Sequence, residues 1–574
     1  MEQGTNQRYD VSDQDQENGP NNRQRTHTLW SAKDYAHRVH TYTRNTASES
    51  LHPGDSLRNL GDFLWQPYLV RAPQIYNAPE PTANTETQQG PFFVSLYQIS
   101  NGNMERTPLD TPQQFEDLGE SVMPNQNGFS LLLLQGYPSA KWLNALGARY
   151  SIDPEYYHRH LIFASATNKG PFKRTATHIL PSCLEDMVSL KVTRIGSRQS
   201  TKHSGSDQEK LDALRAHTSR EMAEYMTKLA SLNTTGIEAG NSIVREFSLH
   251  DFDNFSLEQT ISIGIHRSGQ GWIGIIWYDD GSSPEKGLKG PWLSSAIGSN
   301  PLDMRYLPTP FHVPGIALKS KKRKPSAPFI TRRRPLTRME LLLDDYPRLV
   351  RLARATYDPF YALSPFFKFA ISSELDFLEL ISAKIRDILD HSRLIRHDNP
   401  TLSNILFHQQ VLKRHIHGLQ APIYFMEEHQ KSQWVEKMTD EVQKRECTKT
   451  ISSILNDYRT TLVYAEALAG ECAQGMSIVA HNASILEAEK AISEARGVTK
   501  LTRLATIFAP LAFVTSVFSM NVQQINSNGP DIWWWICISA VIAVVTVLFF
   551  RYDMPHSWRE WWKRYSIFNR NDEF

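Results

Sequence analysis

The chain has 574 residues, more than one compact domain usually holds, and its net charge of +1 gives no overall bias toward nucleic acid or acidic partners. Its four cysteines stand far apart without paired spacing, which argues against a disulfide framework or a zinc cluster. The first twenty residues are polar and contain five acidic residues, so they resemble neither a secretory signal nor a mitochondrial presequence.

The N-terminal half predicts a disordered segment followed by an α+β domain. Residues 1–60 are rich in polar residues and lack apolar periodicity, which is typical of disorder. Residues 61–280 then mix short apolar runs with helical patterns. Predicted strands are 92–98, 129–135 and 187–195, followed by a hairpin of 259–266 and 272–278. Predicted helices are 139–150, N-capped by Ser139, and 153–161, with Pro154 at the first position.

Residues 281–336 predict a linker, because they are rich in Gly, Pro and Ser. They also carry a basic cluster between residues 319 and 334. A solvated linker is the ordinary interpretation of such a cluster. Binding to anionic lipid headgroups is an alternative, and nuclear targeting or nucleic-acid binding is a weaker one, so we expect no nucleic-acid partner.

Residues 337–500 predict a helical stalk. No proline occurs between Pro422 and Pro510, and apolar residues in that interval recur at alternating spacings of four and three, which is a heptad pattern. A helix this long needs neighbours, so the pattern favours a coiled coil and oligomerisation. The seam consists of Ile451, Leu455, Tyr458, Leu462, Ala465, Ala469, Cys472, Met476, Val479, Ala483 and Leu486.

Two segments near the C-terminus, uncharged over 504–520 and 532–550, predict transmembrane helices at 501–520 and 532–550, joined by an outer loop at 521–531. Each approaches the roughly 20 residues that a spanning helix needs. Basic residues precede the first segment and follow the second, while the loop has none. The positive-inside rule therefore predicts that both termini are cytosolic. The tail, residues 551–574, is basic and aromatic and suits a membrane interface.

The first predicted span has small residues along one face. Ala505, Ala509, Ala512, Ser516 and Ser519 recur at spacings of four and three, with bulky residues on the other faces. Such a stripe indicates either a close helix–helix contact or a pore wall, and spacing alone leaves both open.

Residues 500–521, Lys-Leu-Thr-Arg-Leu-Ala-Thr-Ile-Phe-Ala-Pro-Leu-Ala-Phe-Val-Thr-Ser-Val-Phe-Ser-Met-Asn, resemble the first membrane helix and signature of the CorA-like magnesium transporters. That family ends this helix in Gly-Met-Asn. Residues 136–143 and 146–161 resemble the cytosolic domain of its fungal-type members. The resemblance implies a CorA-like funnel: an α+β cytosolic domain, a long helical stalk and two C-terminal spans.

The resemblance further implies a homopentameric channel for magnesium or another divalent cation, without an enzymatic activity or a bound cofactor. Met520, Asn521 and the preceding Ser519 would form the pore mouth, where Asn521 contacts the hydrated ion. The pore lining would be Leu501, Ala505, Ala509, Ala512 and Ser516.

Two positions depart from the family pattern. Ser519 replaces the signature glycine, and Ala512 stands where many members carry a pore-facing threonine. A non-conducting scaffold or regulatory subunit is therefore the alternative function. Glu487, Glu489 and Glu494 are candidate regulatory metal ligands, against the ordinary interpretation of a solvated helix face. The acidic N-terminus favours the plasma membrane over the mitochondrial inner membrane.

Overall fold

The computed structural model describes residues 30–45, 54–69, 93–100, 103–118, 128–164, 186–198, 208–232, 237–268, 271–281, 287–293, 304–309, 311, 338–389, 400–430, 440–519 and 532–552. The chain divides into two compact units, Met1–Ala473 and Gln474–Phe574, which are described in turn.

The first unit is built on an eight-stranded mixed sheet. Its strand order is β2-β1-β3-β7-β6-β4-β8, and β5 pairs with β6 outside this path. Among these pairs, β3 and β7 run parallel and the others antiparallel. The strands are β1 (Val94–Ser100), β2 (Asn103–Leu109), β3 (Phe129–Gln135), β4 (Met187–Arg198), β5 (Glu246–Leu249), β6 (Asn254–Ser268), β7 (Gly271–Tyr278) and β8 (Met304–Tyr306).

The central strands are covered on both faces. Every residue of β3 and β7 is buried, which explains why their sequences are continuous apolar runs instead of alternating ones. Phe129 and Trp272 stack across the parallel pair with ring centroids 4.9 Å apart. The Trp277 indole donates a hydrogen bond to the Gly136 carbonyl at 2.9 Å, so its buried N–H is satisfied.

The N-terminal helices pack on one face of the sheet around a shared apolar core. They are α1 (Ala32–Tyr42), α2 (Arg58–Trp65), α3 (Pro112–Asp117), α4 (Ala140–Tyr150), α5 (Pro154–His160) and α6 (Gln208–Ala230). Helix α1 begins with a capping box between Ser31 and Asp34. Its Tyr35 lies directly over Gly147 of α4 and donates a hydrogen bond to the Ile152 carbonyl at 2.9 Å.

Two of the remaining helices of the unit, Pro359–Leu389 and Pro400–Gln430, cover strand β4. The remaining helices are α7 (Arg338–Asp344), α8 (Tyr346–Leu349), α9 (Leu352–Ala355), α10 (Pro359–Leu389), α11 (Pro400–Gln430) and the first part of α12 (Glu441–Ser519). Phe367 of α10 stacks on Phe425 of α11 and its carbonyl accepts a hydrogen bond from Tyr458 of α12. The start of the predicted heptad seam therefore packs inside its own chain.

The second unit contains the rest of α12 and helix α13 (Ile532–Tyr552). The helix counted from Glu441 to Val517 has an 18-residue window with mean hydropathy 1.3 and is long and apolar enough to cross a membrane. A shorter apolar stretch lies at Ile536–Val545. The described residues thus supply one candidate span, and the second span stays a prediction.

The structure confirms the five predicted strands, the hairpin and both early helices within a few residues. Pro154 takes the first helical position as predicted, with Asp153 capping the Glu155 N–H, whereas the predicted cap Ser139 makes no side-chain hydrogen bond. The disorder prediction is wrong at Ala32–Tyr42, because Tyr35, Ala36 and Val39 bury one face of that helix. The linker prediction is wrong at Met304–Tyr306, which adds a strand beside β4.

Candidate pore helix and buried charge clusters

The predicted pore-lining face of α12 is exposed among the residues that the structure describes. Leu501 is 68% exposed, and the small residues of the stripe are exposed as well, namely Ala505, Ala509, Ala512, Ser516 and Ser519. The covered residues of this segment are Val514 and, in part, Pro510 and Leu511. At about 3.6 residues per turn these lie on the side opposite the stripe. The stripe is therefore exposed, as part of a wider exposed surface that also includes Phe508 and Phe513.

Hydroxyl groups along the segment donate to backbone carbonyls of the same helix. Thr506 donates to Thr502 at 2.7 Å and Thr515 to Leu511 at 2.8 Å, each one turn back. Ser519 donates to the Ser516 carbonyl at 2.8 Å. Such bonds satisfy a hydroxyl without water, which suits an apolar surrounding. With its proton used in this way, the Ser519 oxygen retains lone pairs that can accept a hydrogen bond from an ion's hydration shell.

Two of the three predicted mouth residues, Met520 and Asn521, lie outside the described residues, as do the outer loop and the basic tail. Ser519 is the last described residue of α12. The structure therefore describes the helical approach to the predicted mouth, while the amide ring stays a prediction.

The candidate regulatory carboxylates Glu487, Glu489 and Glu494 are all exposed on α12. Glu487 and Glu494 share a face but stand about 10 Å apart along the axis, and Glu489 lies on nearly the opposite face. No group of three potential metal ligands occurs among the residues that the structure describes.

The fold brings His160 to an acidic residue, Asp279, that is remote in sequence. His160 Nε2 lies 3.2 Å from Asp279 Oδ1, and its Nδ1 lies 2.9 Å from the Ser262 hydroxyl. Arg245 holds the same carboxylate at 2.7 Å through two nitrogens. Burial lowers the pKa of His160 to about 4, so the ring is neutral at physiological pH.

A second cluster surrounds His415, whose acidic partners are also remote in sequence. Glu374 of α10 and Glu258 of β6 approach its two ring nitrogens. Neither partner is within forty residues of the histidine along the chain. No local signal marks either carboxylate, because Glu258 and Glu374 stand among other polar residues of β6 and α10.

Comparison with known proteins identifies the C-terminal part of the chain. Residues 329–552 match the family model described as CorA-like Mg²⁺ transporter protein, which covers fewer than half of the 574 residues. No curated protein matches the chain. The complete structure of the CorA magnesium transporter from Methanocaldococcus jannaschii aligns with 80% of this chain and 98% of its own, at 12% identity and a TM-score of 0.35. A score this low carries no argument about fold. By the family-model match, residues 329–552 carry a CorA-like Mg²⁺ transporter domain.

Proposed function

We propose that the chain is one subunit of a homopentameric membrane channel that conducts Mg²⁺. The observation that carries this proposal is the family-model match over residues 329–552, because this region contains the whole small-residue stripe. The exposure of the stripe on α12 supports it further. A pore wall must be free of partners within its own chain, and the stripe lies opposite the covered residues Pro510, Leu511 and Val514.

In this proposal the α/β unit and both termini are cytosolic, and the chain resides in the plasma membrane as a funnel with two spans per subunit. Five Asn521 side chains form a ring of amide oxygens at the outer mouth. Magnesium releases its water reluctantly, so the first site holds the hydrated ion. An amide oxygen accepts hydrogen bonds from that water without a full negative charge that would trap the ion.

Transport then follows the electrical gradient. A membrane potential negative inside contributes about 2.3 kcal/mol per elementary charge for each 100 mV, and a divalent ion experiences twice that. Behind the mouth, the small side chains of Ser516, Ala512 and Ala509 leave room for a hydrated ion. The Ser519 and Ser516 oxygens offer hydrogen-bond acceptors there.

Flux in proteoliposomes tests the proposal. Purified chain is reconstituted with an enclosed fluorescent magnesium indicator, and uptake is compared for wild type, Asn521→Ala and Asn526→Ala. The third variant removes the same amide from the same predicted loop, five residues further on. We expect Asn521→Ala to lose most of the uptake and Asn526→Ala to retain it. Equal losses in both variants would contradict the amide ring.

The second candidate function is a non-conducting membrane scaffold or regulatory subunit. Ser519 and Ala512 favour it, because they depart from the signature glycine and the pore threonine of the resembled family. Folded, oligomeric wild-type protein without uptake above empty liposomes would support this function. Uptake restored by Ser519→Gly would then identify the serine as the block.

A further inference from the structure

His415 of α11 sits between two carboxylates in the interior of the first unit. Its ring has no exposed surface. Nδ1 lies 2.7 Å from Glu374 Oε1 on α10, and Nε2 lies 3.2 Å from Glu258 Oε1 on β6. Phe377 stacks on the ring with centroids 4.1 Å apart, which fixes its plane. The imidazole therefore bridges the sheet to the helical layer.

This geometry determines the protonation state of the ring. Ionised carboxylates only accept hydrogen bonds, and a neutral imidazole has one N–H. A neutral His415 would aim a nitrogen lone pair at one of the two carboxylates. Burial alone would lower the pKa of His415, but Glu374 and Glu258 outweigh it and raise that pKa above its ordinary value. The two carboxylates therefore favour the imidazolium form of the ring.

The surrounding charges balance only when that proton is present. Lys191 of β4 lies 2.8 Å from Glu258 Oε2, and Arg414 lies 2.7 Å from Glu258 Oε1. Arg414 also reaches Glu246 of β5 at 3.6 Å. Three carboxylates, Glu246, Glu258 and Glu374, thus face two permanent cations and His415. Loss of the histidine proton leaves an excess negative charge in the interior, which costs free energy.

Two further titratable groups face this cluster. His250, in the turn after β5, hydrogen-bonds Ser256 at 2.9 Å, and burial lowers its pKa, so it stays neutral and adds no charge. Tyr458 of α12 lines the small cavity beside Glu374 and His415, and its hydroxyl donates to the Phe367 carbonyl. Burial raises the pKa of Tyr458, so it also stays neutral. His415 is therefore the group of this cluster whose charge changes near neutral pH.

We propose that the His415 imidazolium is a proton-dependent latch, which holds α10 and α11 against strand β6 and loosens as the pH rises. Loss of the His415 proton affects Glu374 most. Its second oxygen is buried without a hydrogen-bond partner among the described residues, so His415 is its cation. Once the ring is neutral, Glu258 keeps Lys191 and Arg414 as partners, whereas the buried Glu374 charge loses its cation.

The direction of the pH effect follows from linkage. A histidine whose pKa is higher in the folded than in the unfolded state contributes its full stabilisation below about pH 6.5. That contribution declines as the pH rises through the folded-state pKa. The latch therefore weakens on the alkaline side of neutrality. Buried neutral histidines such as His160, with a pKa of about 4, instead change the stability of the fold at acid pH.

Exchange of the imidazole C2 hydrogen, measured by mass spectrometry on the full-length chain in detergent, reads the charge of each histidine directly. We expect the C2 exchange rate of His415 to change with a midpoint above pH 6.5, and that of His160 with a midpoint well below pH 6.5. A His415 midpoint at or below pH 6.5 would overturn the proposal.

Backbone hydrogen exchange in Asn254–Ser268 and Pro400–Gln430 then tests the mechanical consequence. The protection factor is the intrinsic exchange rate divided by the observed rate. In wild type it should fall about tenfold for each pH unit between 6.5 and the titration midpoint of His415. His415→Gln should abolish this dependence, whereas the exposed neighbour His417→Gln should retain it. Unchanged dependence in His415→Gln contradicts the latch. If that variant does not fold, Glu374→Gln tests the latch instead, because this change must move the titration midpoint of His415 to lower pH.

Discussion

The two units treat charge and apolar surface in opposite ways. The first unit buries carboxylates completely, as at Asp279, and matches each with a cation. The second unit exposes large apolar side chains: Phe508 is 60% exposed, Phe513 71% and Trp533 69%. Water does not favour so much exposed apolar surface, which marks a protein or membrane contact. Under the proposed function, exposure has a different meaning in each unit, because lipid surrounds the spans of the second unit and water surrounds the first.

The largest effect is expected where a buried cluster loses its only carboxylate. Asp279→Ala leaves Arg245 without its partner in the interior and also removes the acceptor of the Thr260 N–H. We expect a loss of about 3–5 kcal/mol in the free energy of unfolding, measured by pulse proteolysis of the full chain. The control is Asp62→Ala, which breaks a solvent-exposed pair with Arg44 and should cost about 1 kcal/mol or less. Equal costs would refute the contrast between buried and exposed pairs.

Two valines with nearly equal exposure allow a surface proposed to face lipid to be compared with one that faces water. Val541 of α13 is 61% exposed and Val463 of α12, in the first unit, is 64% exposed. Val541→Lys should impair membrane insertion by about 2.5–3.5 kcal/mol, since a lysine near the centre of a span faces lipid. Val463→Lys faces water and should be close to neutral. Carbonate extraction of membranes measures the inserted fraction. Full insertion of Val541→Lys would show that α13 does not lie in the bilayer core.

The smallest effect concerns two glycines in helices. A Cβ on Gly147 would stand 2.3 Å from the Tyr35 ring, whereas a Cβ on Gly470 would meet nothing within 4 Å. Gly147→Ala should therefore push α1 away from α4 and cost about 1–3 kcal/mol. Gly470→Ala should stabilise its helix by up to about 1 kcal/mol. Hydrogen exchange in Ala32–Tyr42 reports the first effect, and unchanged protection there would show that Tyr35 can move without loss.

Much of the fold could be predicted because local patterns match the final elements. The apolar run at Phe129–Gln135 and the Pro154 start of α5 are both local signals. Helix α1 was missed because its three buried residues are few within a polar segment, and their partner surface on α4 lies over a hundred residues away. Strand β8 was missed for the same reason, since three residues carry no periodicity.

The candidate sites also differ in whether a local sequence pattern reveals them. The stripe on α12 is visible in the sequence because helical spacing alone creates it. The buried clusters are not, because His160 meets Asp279 and His415 meets Glu258 through sheet pairing and helix docking between distant segments. The chemistry of both histidines is determined by neighbours in space, which spacing along the chain does not reveal.

The parallel pairing of β3 with β7 has a consequence for how the chain is made. The hydrogen bond from Trp277 to Gly136 joins residues 141 positions apart. At about 5–20 residues per second, a ribosome needs roughly 7–28 s to synthesise that interval. Throughout it, one edge of the Ser-Leu-Leu-Leu-Leu strand waits without its partner, and an unpaired apolar strand readily joins other chains. The nascent protein therefore passes through a stage at which β3 needs shielding, by a chaperone or by the early helix α4.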